Sequence, residues 1–114
     1  MKLYLAGPMS GYKDRNFAAF NTAAKMLRAC GHEVVNPAEM NHEHQYASDD
    51  NKAVRAICMR RDIEALMTCE GVATLIDWQT SKGAKCEIAI AEQLNMPVRP
   101  FEMICVEFKN KVNA

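Results

Sequence analysis

The stretch GVATLIDWQTSKGAKCEIAIAEQLNMPV, residues 71–98, decides the fold. It opens on a nearly continuous apolar run, 71–77, of the kind that suits a strand covered on both faces. A polar turn follows. Over 82–95, Ala84, Ile88 and Ala91 recur at spacings of three and four, which predicts a helix. PVRPF, 97–101, then returns as a strand. A strand, a helix and a second strand joined by short connections make a unit whose strands run parallel with a right-handed crossover.

Working outward, KLYLA (2–6) is a short apolar run ended by Gly7-Pro8, because proline has no amide to extend a central strand. Phe17, Phe20, Ala24 and Leu27 predict a helix over 16–29, with Asp14 or Asn16 as cap and Gly31 as stop. HEVVNP (32–37) reads as a strand closed by Pro37. Residues 38–52 are polar and without period, so they read as a loop. A second helix follows, with Ala56, Met59, Ile63, Leu66 and Met67 as its expected buried stripe, ending near Cys69. MICVEF (103–108) is expected to add a last strand. The sum is one α/β domain, 1–114, with a doubly wound parallel sheet of four to five strands.

Composition narrows the function. With 114 residues the chain fits a single domain. Fourteen basic and fourteen acidic side chains give zero formal charge, so no excess positive field exists to hold a nucleic-acid polymer or an anionic membrane. Cys30, Cys58, Cys69, Cys86 and Cys105 lack CxxC spacing and read as reduced core thiols of a cytoplasmic protein. The opening MKLYLAGP is too short an apolar run for a signal peptide.

In doubly wound folds ligands gather outside the carboxyl ends of the strands. Three loops leave from those ends: 7–16, the segment after Pro37, and 77–83. In the first, Gly7, Pro8, Met9, Gly11, Asn16 and Phe17 are candidate substrate-binding residues, since glycines permit close approach of a ligand. The segment matches no phosphate-loop signature, and an ordinary turn is the competing reading. In the third loop Ser81 and Gly83 open a helix, where free amides favour an anion; Ser81 serves there either as a ligand group or as a plain helix cap.

Glu87 sits one turn into that helix, next to Ile88 and four residues before Ala91, so it flanks the face that packs on the sheet. A poorly solvated carboxylate at this position is suited to attack a sugar carbon or to act as a base, whereas the commoner alternative is a glutamate with its head in water. Asp77, at the end of the apolar run, and Asp62, beside the stripe of the second helix, aim at the same edge; Asp62 either serves the site or pairs with Arg60 or Arg61. Tyr4 lies in the first strand and either reaches the cleft or packs its ring; Trp78 either stacks on a planar ligand or packs. His42 and His44 in NHEH lack the partners of a metal site, and no metal or other cofactor is expected.

With these pieces placed, LYLAGPMSG, MRRDIEALMTCEGVATLIDW and SKGAKCEIAIAEQLNMPV resemble, over residues 2–98, the small nucleoside 2-deoxyribosyltransferase-like proteins, relatives of the deoxynucleoside 5'-monophosphate N-glycosidases. The resemblance implies a flavodoxin-like fold and a nucleophilic glutamate, matched by Glu87, that attacks C1' of a 2'-deoxyribose. It implies that Tyr4 positions that glutamate or the sugar, that Asp77 stands near the substrate, and that Ser81 and Gly83 receive the 5' end. Asp62 matches the aspartate of the RRD motif. The expected partner is a small-molecule nucleoside or nucleotide, and the expected assembly a homodimer or larger homo-oligomer. The resemblance also places a segment after the last strand of the transferases in a neighbour's site; MICVEFKNKVNA offers little for that role, so hydrolysis is expected ahead of base transfer. A silent nucleotide-binding sensor and an NAD-type glycohydrolase are the alternatives.

Overall fold

The computed structural model describes residues 1–40 and 52–113. In these residues four parallel strands form one sheet in the order β2-β1-β3-β4: β1 (Lys2–Ala6), β2 (Glu33–Val35), β3 (Gly71–Thr74) and β4 (Val98–Pro100). Among the described residues, four α-helices cover it: α1 (Phe17–Ala29), α2 (Lys52–Met67), α3 (Lys82–Gln93) and α4 (Phe101–Asn113). This is the doubly wound parallel arrangement expected from the alternating periodicity.

Period-two alternation in β1 and β3 divides the core into two layers. Leu3, Leu5 and Ala73 pack with Phe20, Ala23, Ala24 and Leu27 of α1 and with Cys105 of α4. On the opposite face Tyr4, Ala6 and Val72 pack with Leu66 of α2 and with Ala84, Ile88 and Ala91 of α3. The small alanines let α3 lie close to the sheet, which brings Glu87 within reach of β1. Gly7 permits a second close approach: a Cβ there would stand 2.7 Å from Leu75 Cβ.

Helix α1 stops as expected, with Gly31 at a φ of +87° and its amide donating to Arg28 O. Its start differs. Asn16 occupies the cap position in a left-handed conformation but makes no side-chain cap bond; its Nδ2 donates instead to Pro8 O at 2.9 Å, bracing the first loop. The apolar run 71–77 is strand only to Thr74. Leu75 still donates its amide to Ala6 O, then Ile76 is exposed and Asp77 turns the chain at a φ of +64°.

Two expectations are corrected. MICVEF is not a strand but part of α4, because Phe101, Ile104, Cys105 and Phe108 fall at helical spacing; Cys105 is buried in the α1 layer, and Phe101 and Ile104 pack against it. On α2, Leu66 is buried, whereas Met67 and Ala56 of the expected stripe are exposed. The side facing the sheet and the cleft runs instead through half-buried Cys58, Met59 and Asp62 and buried Leu66, with exposed Arg55 at the cleft rim, a mixed stripe at the same three- and four-residue spacing. Among the thiols, Cys105 is buried but Cys86 is exposed rather than in the core, and all five cysteines are free. His42, His44 and most of the loop expected over 38–52 lie outside the described residues; Pro37–Glu39 form a 3-10 turn.

Candidate active site

A cavity of about 540 Å³ opens at the carboxyl ends of β1 and β3, between α2 and the amino end of α3. Three elements build its polar centre. Strand β1 supplies Tyr4, whose ring is fully buried under α2 and α3. Helix α3 supplies Glu87, only 6% exposed. Helix α2 supplies Asp62. Tyr4 Oη donates a short hydrogen bond to Glu87 Oε2, so the carboxyl group is held in one orientation against the strand.

Burial governs the electrostatics. It pushes the Glu87 carboxyl up to about 8; the Tyr4 hydrogen bond opposes that rise, and the nearby Asp62 charge adds to it. Burial also raises Asp62, to about 6, against the pull of Arg61. Tyr4 is held well above the ordinary phenol range by burial and then by Glu87, so it remains a hydrogen-bond donor at any physiological pH. Two neighbouring carboxyl groups with separated titrations are a recurrent means of placing an acid and a base in one site.

The rim is formed by the loops. Gly7, Pro8 and Met9 line the cavity on one side, and Ser81 and Gly83 on the other. Ser81 caps α3: its Oγ accepts from the amide of Ala84 at 3.1 Å. Pro37, at the end of β2, closes a third side and is fixed by Asn36, whose Oδ1 accepts from Ala38 N while its Nδ2 donates to Asn21 Oδ1. Met59 of α2 reaches across to Gly83, where an added Cβ would lie 3.3 Å from its methyl group.

Several candidate residues stand apart from the cavity wall. Asp77 is exposed in the turn after β3, since Leu75 is the last inward-facing residue of that run. Trp78 packs against the α2–α3 layer, Phe17 against the α1 layer, and Gly11 is exposed at a φ of +82°. Asn16 acts on the loop through Pro8. Conversely, Arg15, Arg55 and Cys58 line the cavity although no motif or apolar period in the sequence singles them out, and Lys82 of the SKGAK segment joins them. Arg55 and Cys58 precede Asp62 by seven and four residues, so the helical spacing from Asp62 carries the signal that could have found them.

Among the described residues no cluster of three or more His, Cys, Asp or Glu side chains is placed to hold a metal ion, and no helix is long and apolar enough to cross a membrane.

Fold and site together define a flavodoxin-like α/β domain with a buried tyrosine–carboxylate pair in its sheet-end cleft. The chain belongs to the DUF4406 family, described as a domain of unknown function, whose model matches residues 1–99. Among solved structures it is similar to a 2-deoxyribosyltransferase from the psychrotolerant bacterium Bacillus psychrosaccharolyticus, with a TM-score of 0.64 and 23% sequence identity over 86% of this chain and 69% of that one. The shared fold agrees with the family resemblance carried by the sequence motifs. No curated protein matches the chain.

Proposed function

We propose that the protein cleaves the N-glycosidic bond of a 2'-deoxynucleoside or its 5'-monophosphate, by hydrolysis in preference to transfer to a second base. The observation that carries this reading is the Tyr4–Glu87 hydrogen bond at the floor of the cleft, beside Asp62. A cavity of about 540 Å³ is of a size that accepts a nucleotide. The similar fold of a 2-deoxyribosyltransferase supports the substrate class.

In this mechanism Glu87, ionised, attacks C1' as the bond from C1' to the base nitrogen breaks, and the departing base takes a proton from Asp62. A glycosyl ester on Glu87 results. Water then attacks C1' and gives its proton to Asp62 as the ester bond to Glu87 breaks, which frees the sugar and restores the Glu87 carboxylate. Tyr4 holds Glu87 in place and stabilises its charge in both half-reactions. Between about pH 6 and 8 the two acids share one proton, which rests mostly on Glu87; the reactive form is the minor one in which that proton has moved to Asp62 and Glu87 is ionised. Arg15, Arg55 and Lys82 on the wall, with the amides at the start of α3, suit a 5'-phosphate. Of the remaining candidates, Gly7, Pro8, Met9, Ser81 and Gly83 contact the substrate, while Asp77, Trp78, Gly11, Asn16 and Phe17 act by shaping the loops.

Hydrolysis is favoured because α4 packs in the α1 layer, and no described residue after Glu87 lines the cleft, leaving water a direct path to C1'. Exposed Ile57 and Met67 on α2 suit a homo-oligomer in the cytoplasm. The test is incubation with a panel of nucleosides and 5'-monophosphates, with and without a free acceptor base, followed by chromatography. Released base with no exchanged nucleoside is expected; binding without release would make the protein a sensor, and cleavage restricted to ribose nucleotides would reject the deoxyribose assignment.

A further inference from the structure

A second cavity, of about 290 Å³, lies at the other end of the sheet, at the starts of β1, β3 and β4. None of its lining residues belongs to the cleft around Glu87. Leu3 and Val72 come from the sheet, and Ile104 and Phe108 project from α4. Four lining residues, including these two α4 residues, lie beyond the span matched by the family model, so the cavity depends on a helix outside the family's shared span.

Its walls combine an apolar slot with a small excess of positive charge. Arg99 on β4 pairs with Glu107 on α4 across the rim, so those two charges cancel, and Lys111 one turn further on leaves a net cation. His32 stands on the same wall; its Nδ1 is shielded from water and has no hydrogen-bond partner among the described residues. A buried ring nitrogen without a partner is an unmet cost, and no bond at that atom resists rotation of the imidazole toward an incoming polar group. A dry cavity of about 150 Å³ is enough for benzene, so this one accommodates one or two fused rings.

From the apolar slot, the residual cation at Lys111 and the unpartnered His32 nitrogen, we infer that this cavity is a binding site for a compact aromatic carboxylate, separate from the catalytic cleft. The ring lies between Leu3, Ile104 and Phe108, and the carboxylate faces Lys111 and His32.

The test is a heteronuclear NMR titration of the full chain with 2-naphthoate and, in parallel, its neutral isostere 2-naphthamide. Saturable shifts are expected for the acid at His32, Arg99 and residues 104–111, with weaker binding of the amide. Lys111→Met, on an exposed helical position, should weaken naphthoate about fivefold, the scale of one partly exposed ion pair. Phe108→Ala should weaken both compounds. Absence of saturable shifts, equal affinity for acid and amide, or shifts centred on Tyr4 and Glu87 would each overturn the assignment. Because the readout is binding at a remote site, it is independent of whether the cleft cleaves a nucleoside.

Discussion

Tyr4 and Glu87, 83 positions apart in the chain, are joined by a hydrogen bond from the phenol to the carboxylate, both groups buried at the floor of the cleft. The sheet and α3 each hold one partner rigidly, so the pair is set by the fold rather than by side-chain chance.

That arrangement carries a stability cost. Glu87 titrates near 8 in the folded protein against 4.5 when solvated, so the folded state binds the extra proton. Stability from this group is fully present below about pH 4.5 and declines as pH rises to about 8, by about 1.4 kcal/mol for each step of one in pH across that window. Glu87→Gln, which keeps an acceptor for Tyr4, should therefore melt higher than the native protein at pH 9 and near it at pH 4. Thermal denaturation at the two pH values checks this, together with a loss of base release of at least about a thousandfold.

The pH dependence of turnover follows from the two carboxyl groups. With Asp62 near 6 and Glu87 near 8, kcat/KM should be bell-shaped with limbs at about those values. Asp62→Asn should lower the maximum by about a hundredfold or more and remove one limb. A profile unchanged in shape by that substitution would separate Asp62 from the chemistry.

Tyr4→Phe removes the donor that offsets the rise of Glu87, so the alkaline limb should move to higher pH. The lost hydrogen bond to a charged group is worth about 1.5 to 3 kcal/mol, or roughly ten- to a hundredfold in kcat. A fall in kcat with the limb unmoved would mean that the phenol acts on the substrate instead.

How far the sequence discloses all this depends on which spacing is read. Glu87 is legible, because Ala84, Ile88 and Ala91 fix the inward face of α3 and leave a flanking position for a carboxylate. The inward face of α2 is not: its exposed Ala56 and Met67 suggest an apolar stripe, while the true stripe mixes Arg55, Cys58 and Asp62 with Met59 and Leu66, and a polar cleft wall has no hydrophobic periodicity to reveal it. Residues 103–108 mislead for the related reason that a short apolar run fits either period, and the helix shows only when Phe101 before the run is read together with Ile104, Cys105 and Phe108.

Packing at the first loop gives a structural prediction. Gly7→Ala would press a methyl group onto the Leu75 Cβ, which cannot swing aside as a side-chain tip can. A loss of about 1 to 3 kcal/mol in urea unfolding is expected, as for other overpacked sites.

The most direct measurement is intact-mass and peptide mapping after incubation with a 2'-deoxy-2'-fluoroarabinonucleoside, whose fluorine slows breakdown of a glycosyl ester. The account predicts one added sugar, mapped to the peptide bearing Glu87 and absent from Glu87→Gln. Base release that continues in Glu87→Gln, or an adduct on another residue, would contradict it.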